Sequence, residues 1–224
     1  LRFVGVRHGA AVIGCFGGLV SRTATTMVFA RHARAQVDLV RTATVVVLLA
    51  NLVVMLRLGV FALAVAPRIA LPLGLVLGGG LLLGLAVTAY GWRSLGAHEE
   101  LPMPEVSNPT ELRTALGFGL LYALVLLCAA WLEDVAGNKG LYMVALVSGL
   151  TDVDAIALTS LHLFNLDKLD AGQAVTAIGL ATLANLAFKT GLVVFLGGAA
   201  LARRALPGLA AIGLGVAGGL LAFT

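Results

Sequence analysis

Leu141-Tyr-Met-Val-Ala-Leu-Val-Ser148-Gly149-Leu-Thr151-Asp152-Val-Asp154-Ala-Ile-Ala-Leu-Thr-Ser160-Leu-His162 is an apolar stretch of membrane-spanning length with two acids at its centre. One charged residue in the middle of a spanning helix costs about 2.5–3.5 kcal/mol on insertion scales. Two require water, a counter-charge or a cation to offset that cost. On an intact helix Asp152 and Asp154 point about 200° apart, so they share a ligand only if the backbone unwinds. A helix break near Gly149–Asp154 is therefore expected, with a milder one near Gly18–Thr23.

The rest of the chain has the same character. Hydrophobic residues make up 60% and charged residues 12%, and the mean hydropathy is +1.02. These values describe a polytopic helical membrane protein, far from the roughly 25% charged residues of soluble domains. The net charge of +4 comes mostly from Arg and Lys at segment ends, the pattern of membrane flanks and not of a nucleic-acid surface. Cys15 and Cys128 lie apart in apolar segments and read as packing residues. No His/Cys spacing indicates a resident cofactor.

Apolar windows at about 9–31, 38–65, 69–91, 113–133, 141–164, 171–200 and 204–223 predict about seven transmembrane helices, an all-α fold. An acidic connector, 93–112, divides residues 1–92 from residues 113–224. The two halves resemble each other. Leu1, Val4, Gly9, Gly18 and Leu19 match Leu132, Val135, Gly140, Gly149 and Leu150. Ala50-Asn51-Leu52 matches Ala184-Asn185-Leu186, Ala70-Leu-Pro72 matches Ala205-Leu-Pro207, and Gly79-Gly-Leu-Leu82 matches Gly218-Gly-Leu-Leu221. The order is kept throughout, as in a structural repeat. Four crossings separate the copies, so both are expected in parallel orientation, each with a broken helix. The chain opens at Leu1 in what reads as the tail of a preceding helix, which suggests an N-terminally truncated first copy.

Ser21, Thr23 and Thr25 occupy the first copy's counterpart of the aspartate cluster, and Arg22 adds a charge there. Asn185 and Lys189 are spaced i, i+4 and share one stripe of their helix. Lys189 is expected to pair with Asp152 or Asp154, whereas Arg57 is expected to snorkel to an interface. Asn51 is the counterpart of Asn185, and Met55 that of Lys189. The expected pathway for an ion or solute is thus Ser21, Thr23, Thr25, Asn51, Thr151, Asp152, Asp154, Asn185 and Lys189. Asp152 and Asp154 are the candidate ligands for a hard cation such as Mg2+, or the carriers of a proton. The paired glycines of 74–84 and 213–219 read as close-packing helix faces.

At Gly17-Gly-Leu-Val-Ser21-Arg-Thr23-Ala-Thr-Thr26 with Ala30-Arg-His-Ala-Arg34, the chain resembles a bacterial and archaeal family. Val147-Ser-Gly-Leu-Thr-Asp152-Val-Asp154-Ala and Asn108-Pro-Thr-Glu-Leu112 carry the likeness too. It is the membrane domain of unknown function found C-terminal to MgtC/SapB-like domains. Its members more often have Ser at the position of Arg22. The resemblance implies a multi-pass protein of the prokaryotic inner membrane, with an N-terminal MgtC/SapB-like domain as partner and a tie to magnesium or ion homeostasis.

The expected function is a transporter or channel for a small cation or a proton-coupled solute, and not an enzyme. The alternative is a non-transporting regulatory or assembly subunit. Besides the lipid bilayer, a second copy of the chain is a conceivable partner. Basic residues are shared equally between the two sets of loops, so the positive-inside rule assigns no orientation.

Overall fold

The structure is a computed structural model that describes residues 10, 12–17, 22–93 and 140–223. Ser21, the first cluster's expected break, Cys128, the acidic connector and the apolar window at 113–133 lie outside the described residues, as does the side chain of Arg22. All regular structure among the described residues is helical.

Helix α1 is Arg22–Ala35. Gln36, extended at φ −135°, and a 3-10 turn over Val37–Leu39 lead into α2, Val40–Val65. Pro67 both ends α2 and starts the next helix. A residue before proline is driven out of the α region, and Ala66 sits at φ −137°, ψ 72°. Proline itself suits a first helical position, so α3 runs Pro67–Arg93. Beyond the undescribed stretch come α4, Gly140–Thr151, and α5, Val153–Asn165, separated by the single residue Asp152.

The last helix, α6, spans Ala171–Phe223. A reciprocal cap starts it: the Gln173 backbone N–H donates to Asp170 Oδ1 at 2.8 Å, and the Asp170 N–H donates to Gln173 Oε1 at 3.0 Å. Its 53 residues amount to about 80 Å of helix, far beyond the roughly 30 Å of a hydrocarbon core. The run is interrupted at Gly198, whose φ of 71° and ψ of −177° are non-helical. Segments 171–197 and 199–223 are therefore two helices in one nearly continuous run.

The expectation of about seven transmembrane helices is corrected here. Among the described residues three helices are long and apolar enough to cross a membrane: Val37–Val65 with its 3-10 start, α3 and α6. An apolar window in sequence is not the same length of helix. The window at 141–164 divides at Asp152 into helices of 12 and 13 residues, each short of the roughly 20 residues needed to span. Helix α1 has 14 described residues. The windows at 171–200 and 204–223 correspond to the two segments of the single run α6, divided at Gly198.

The parallel arrangement of the halves is corrected too. Helix α3 and segment 199–223 are the helices that carry the matched Gly-Gly-Leu-Leu runs, and they pack on each other through glycine. A Cβ added at Gly219 would lie 2.7 Å from Val76 O, one at Gly79 2.5 Å from Gly215 O, and one at Gly84 2.5 Å from Ile212 Cγ1. As numbering rises along α3 it falls along 199–223, so these matched helices run antiparallel. The count of four crossings relied on the windows at 9–31 and 113–133, which lie in part or wholly outside the described residues.

One core of Ala, Val, Leu and Ile joins helices α1 to α6. On α3, Ile69, Leu73, Val76, Leu77, Gly80 and Gly84 are buried, whereas Leu71, Leu75 and Leu82 face outward. A helix apolar on both faces, one toward protein and one exposed, is what lipid as a solvent selects.

Candidate functional site

The break between α4 and α5 is built by Asp152. Its backbone is extended at φ −144°, ψ 110°, while its Oδ1 accepts a hydrogen bond from the Asp154 N–H at 2.9 Å and caps α5. Aspartate is among the best residues for this duty, because its side chain replaces a missing carbonyl at the helix start. The preceding turn is closed by the Asp152 N–H donating to Ser148 O at 2.8 Å and by Thr151 Oγ1 donating to the same carbonyl at 3.1 Å.

Carbonyls opened by the break are met from α6. Asn185, 4% exposed, donates its Nδ2 to Gly149 O at 2.8 Å and reaches Leu150 O at 3.4 Å. Gly149 makes this approach feasible: a Cβ there would fall 2.5 Å from both Ala181 Cα and Ala181 O, one turn before Asn185. Any side chain at residue 149 would push α4 off α6 and separate the amide from the carbonyls.

One turn beyond Asn185, Lys189 has no exposed surface. Its Nζ donates to Asn51 Oδ1 at 3.2 Å, and Asn51 Nδ2 donates back to Val47 O at 2.8 Å. The matched asparagines thus do different work, Asn185 on the broken backbone and Asn51 on the buried ammonium. An ammonium held in a water-excluded interior is stabilised by an amide oxygen acceptor.

Arg57 is the residue that the sequence reading misplaced. It does not snorkel: Arg57 Nη2 forms a salt bridge with Asp154 Oδ2, each side chain 22% exposed. The interaction ties α2 to α5. One signal was available. Arg57 lies about 12 Å along the helix from Val65, too far for its stem to reach the interface from that depth.

Asn51, Arg57, Thr151, Asp152, Asp154, Asn185 and Lys189 are therefore brought together where α2, α4, α5 and α6 meet. Among the described residues this set holds two carboxylates and two cations. Thr23 and Thr25 are half-buried on α1, which packs on α6 and α2; a Cβ at Gly17 would lie 2.5 Å from Thr25 Oγ1. Among the described residues no group of three or more His, Cys, Asp or Glu side chains is arranged to hold a metal ion. Asp152 is engaged as a cap and Asp154 with a guanidinium.

A family model described as "Domain of unknown function (DUF4010)" matches residues 1–197. An uncharacterized protein of Aquifex aeolicus (strain VF5) is 31% identical over 185 residues, covering 81% of this chain and 79% of that protein. No solved structure matches. The relative is bacterial, and a multi-pass helical protein of a bacterium belongs in the inner membrane, outer-membrane spans being barrels.

Proposed function

Since the chain belongs to the DUF4010 family, a family described by no activity, we propose from the geometry that it is an inner-membrane transporter for a small cation, working through the carboxylates at the α4–α5 break. The observation that carries this reading is the ion pair between Arg57 and Asp154 beside a helix interrupted at Asp152. Charged groups in a membrane interior are costly, and those found there usually mark a substrate or ion pathway.

The working cycle is an exchange of partners. A proton or cation arriving at Asp154 neutralises the carboxylate and releases Arg57. Lys189, held by Asn51, competes with the cation for the acids and keeps the empty site neutral. Asp152 and Thr151 keep the backbone open so that carbonyls line the path. A hard cation such as Mg2+ takes one or two protein carboxylates and retains most of its water. A proton, or a still-hydrated cation, suits two already engaged carboxylates better than a dehydrated metal in a protein cage.

The test is flux in reconstituted vesicles, with a pH-sensitive dye and a Mg2+ indicator inside. Asp154→Asn is expected to abolish flux at least tenfold below the parent, and Arg57→Gln to uncouple it from the ion gradient. Flux equal to the parent in Asp154→Asn overturns the reading. The alternative, a regulatory or assembly subunit, is favoured by Gly74 and Gly78 on α3, where an added Cβ meets nothing within 4 Å. Small residues on an outer face admit a partner helix. Under that reading, a stable partner co-purifies and Asp154→Asn leaves the function of the complex intact.

A further inference from the structure

We propose that Arg34 and Asn165 are two gate latches at opposite ends of the helix bundle, each tying the end of a short helix in one half to the end of a long helix in the other. This rests on the transport reading and adds to it how access to the charged centre is controlled from each side.

Two hydrogen bonds carry the inference. Arg34, in the last turn of α1, donates Nη1 to Phe195 O at 3.0 Å, where the first part of α6 nears its interruption at Gly198. Asn165, the last residue of α5, donates Nδ2 to Val65 O at 2.5 Å, at the end of α2. The residues of each pair lie 161 and 100 positions apart, so neither bond is local. Arg34 and Asn165 are also related by the constant spacing of the first matched residues in the two halves. Both bonds are exposed.

Their placement follows from the antiparallel packing. Val65 lies two residues before α3 at Pro67, and Phe195 closely precedes segment 199–223. Because α3 and 199–223 run in opposite directions, their starts lie at opposite ends of the bundle. The two latched carbonyls therefore do as well. The charged centre lies between them. Asn51 is about 21 Å of helix from Val65, and Lys189 about 9 Å from Phe195. Each latched carbonyl lies within three residues of a backbone break, Ala66 or Gly198, where the chain can swing without unwinding a helix.

A single exposed hydrogen bond competes with water, so it opens readily and closes without a large barrier. That is what a gate cycling at every turnover requires. Opening one latch while the other holds exposes the centre to one side only, the condition for alternating access.

The test uses the full chain in vesicles of known orientation, with Cys15→Ser and Cys128→Ser as background and Ser148→Cys as reporter beside the break. A membrane-impermeant maleimide is added to either side. Asn165→Leu is expected to speed labelling several-fold from one side only, and Arg34→Met from the opposite side only. Asn165→Gln and Arg34→Lys, which keep a donor, are expected to return labelling to the parent rate. Acceleration from the same side in both, from both sides in either, or in neither overturns the latches. The flux assay separates the two ideas. Sided labelling with flux indifferent to Asp154→Asn leaves the latches standing and removes the transporter; flux lost in Asp154→Asn without sided labelling does the reverse.

Discussion

Arg57 and Asp154 show how much a membrane interior asks of a single contact. Neither charge is deep enough to be fully dry, since both side chains are 22% exposed, yet each is poorly served without the other. Removing one partner of a fully buried pair costs about 3–5 kcal/mol; partial exposure brings the expected loss for Asp154→Asn to about 1–3 kcal/mol. Thermal unfolding in detergent measures it. Arg57→Met together with Asp154→Leu is expected to recover most of that loss, because two isolated charges disappear with the pair. A double mutant less stable than the sum of the singles contradicts the pairing. Lys189 is the subtler case. Its i, i+4 relation to Asn185 was legible in the chain, but its amide partner Asn51 sits 138 positions away, and no local pattern signals that.

Two elements owe their form to one residue each. Asp152 makes two helices of one apolar window, and the spacing of Asp152 and Asp154 placed an interruption near Gly149–Asp154 from the sequence. Gly198 does the same inside α6, where the sequence reading placed only a loop between two spans. Its φ of 71° with ψ of −177° belongs to a region that is essentially restricted to glycine. Gly198→Ala is expected to destabilise the protein by about 1–3 kcal/mol, seen as a lower unfolding midpoint. In contrast, Gly191→Ala, at a helical position where an added Cβ meets nothing within 4 Å, is expected to be neutral or slightly stabilising. Equal losses at both positions contradict this account of the bend.

At the scale of the whole molecule, the glycine contact between α3 and segment 199–223 sets how the halves meet. Gly79 and Gly215 touch backbone to backbone, each blocking a Cβ on the other at about 2.5 Å. Gly79→Leu is expected to force the helices apart, at a cost of about 1–3 kcal/mol or more, with flux falling along with stability. Gly78→Leu, one residue away in open space, is expected to spare both, and equal damage from the two substitutions contradicts the packing.

The sequence by itself determined the helical membrane class, the place of the interrupted helix at Asp152 and the polar residues around it. Each of these follows from local composition and spacing, which a helix in lipid obeys residue by residue. Only the tertiary structure decided that Arg57 and not the interface answers Asp154, that 141–164 is two short helices, and that the matched helices run antiparallel. Those outcomes depend on which distant surfaces meet. Packing between helices is set by shape and small residues over the whole bundle, and apolar periodicity, nearly uniform in a chain this hydrophobic, does not encode it.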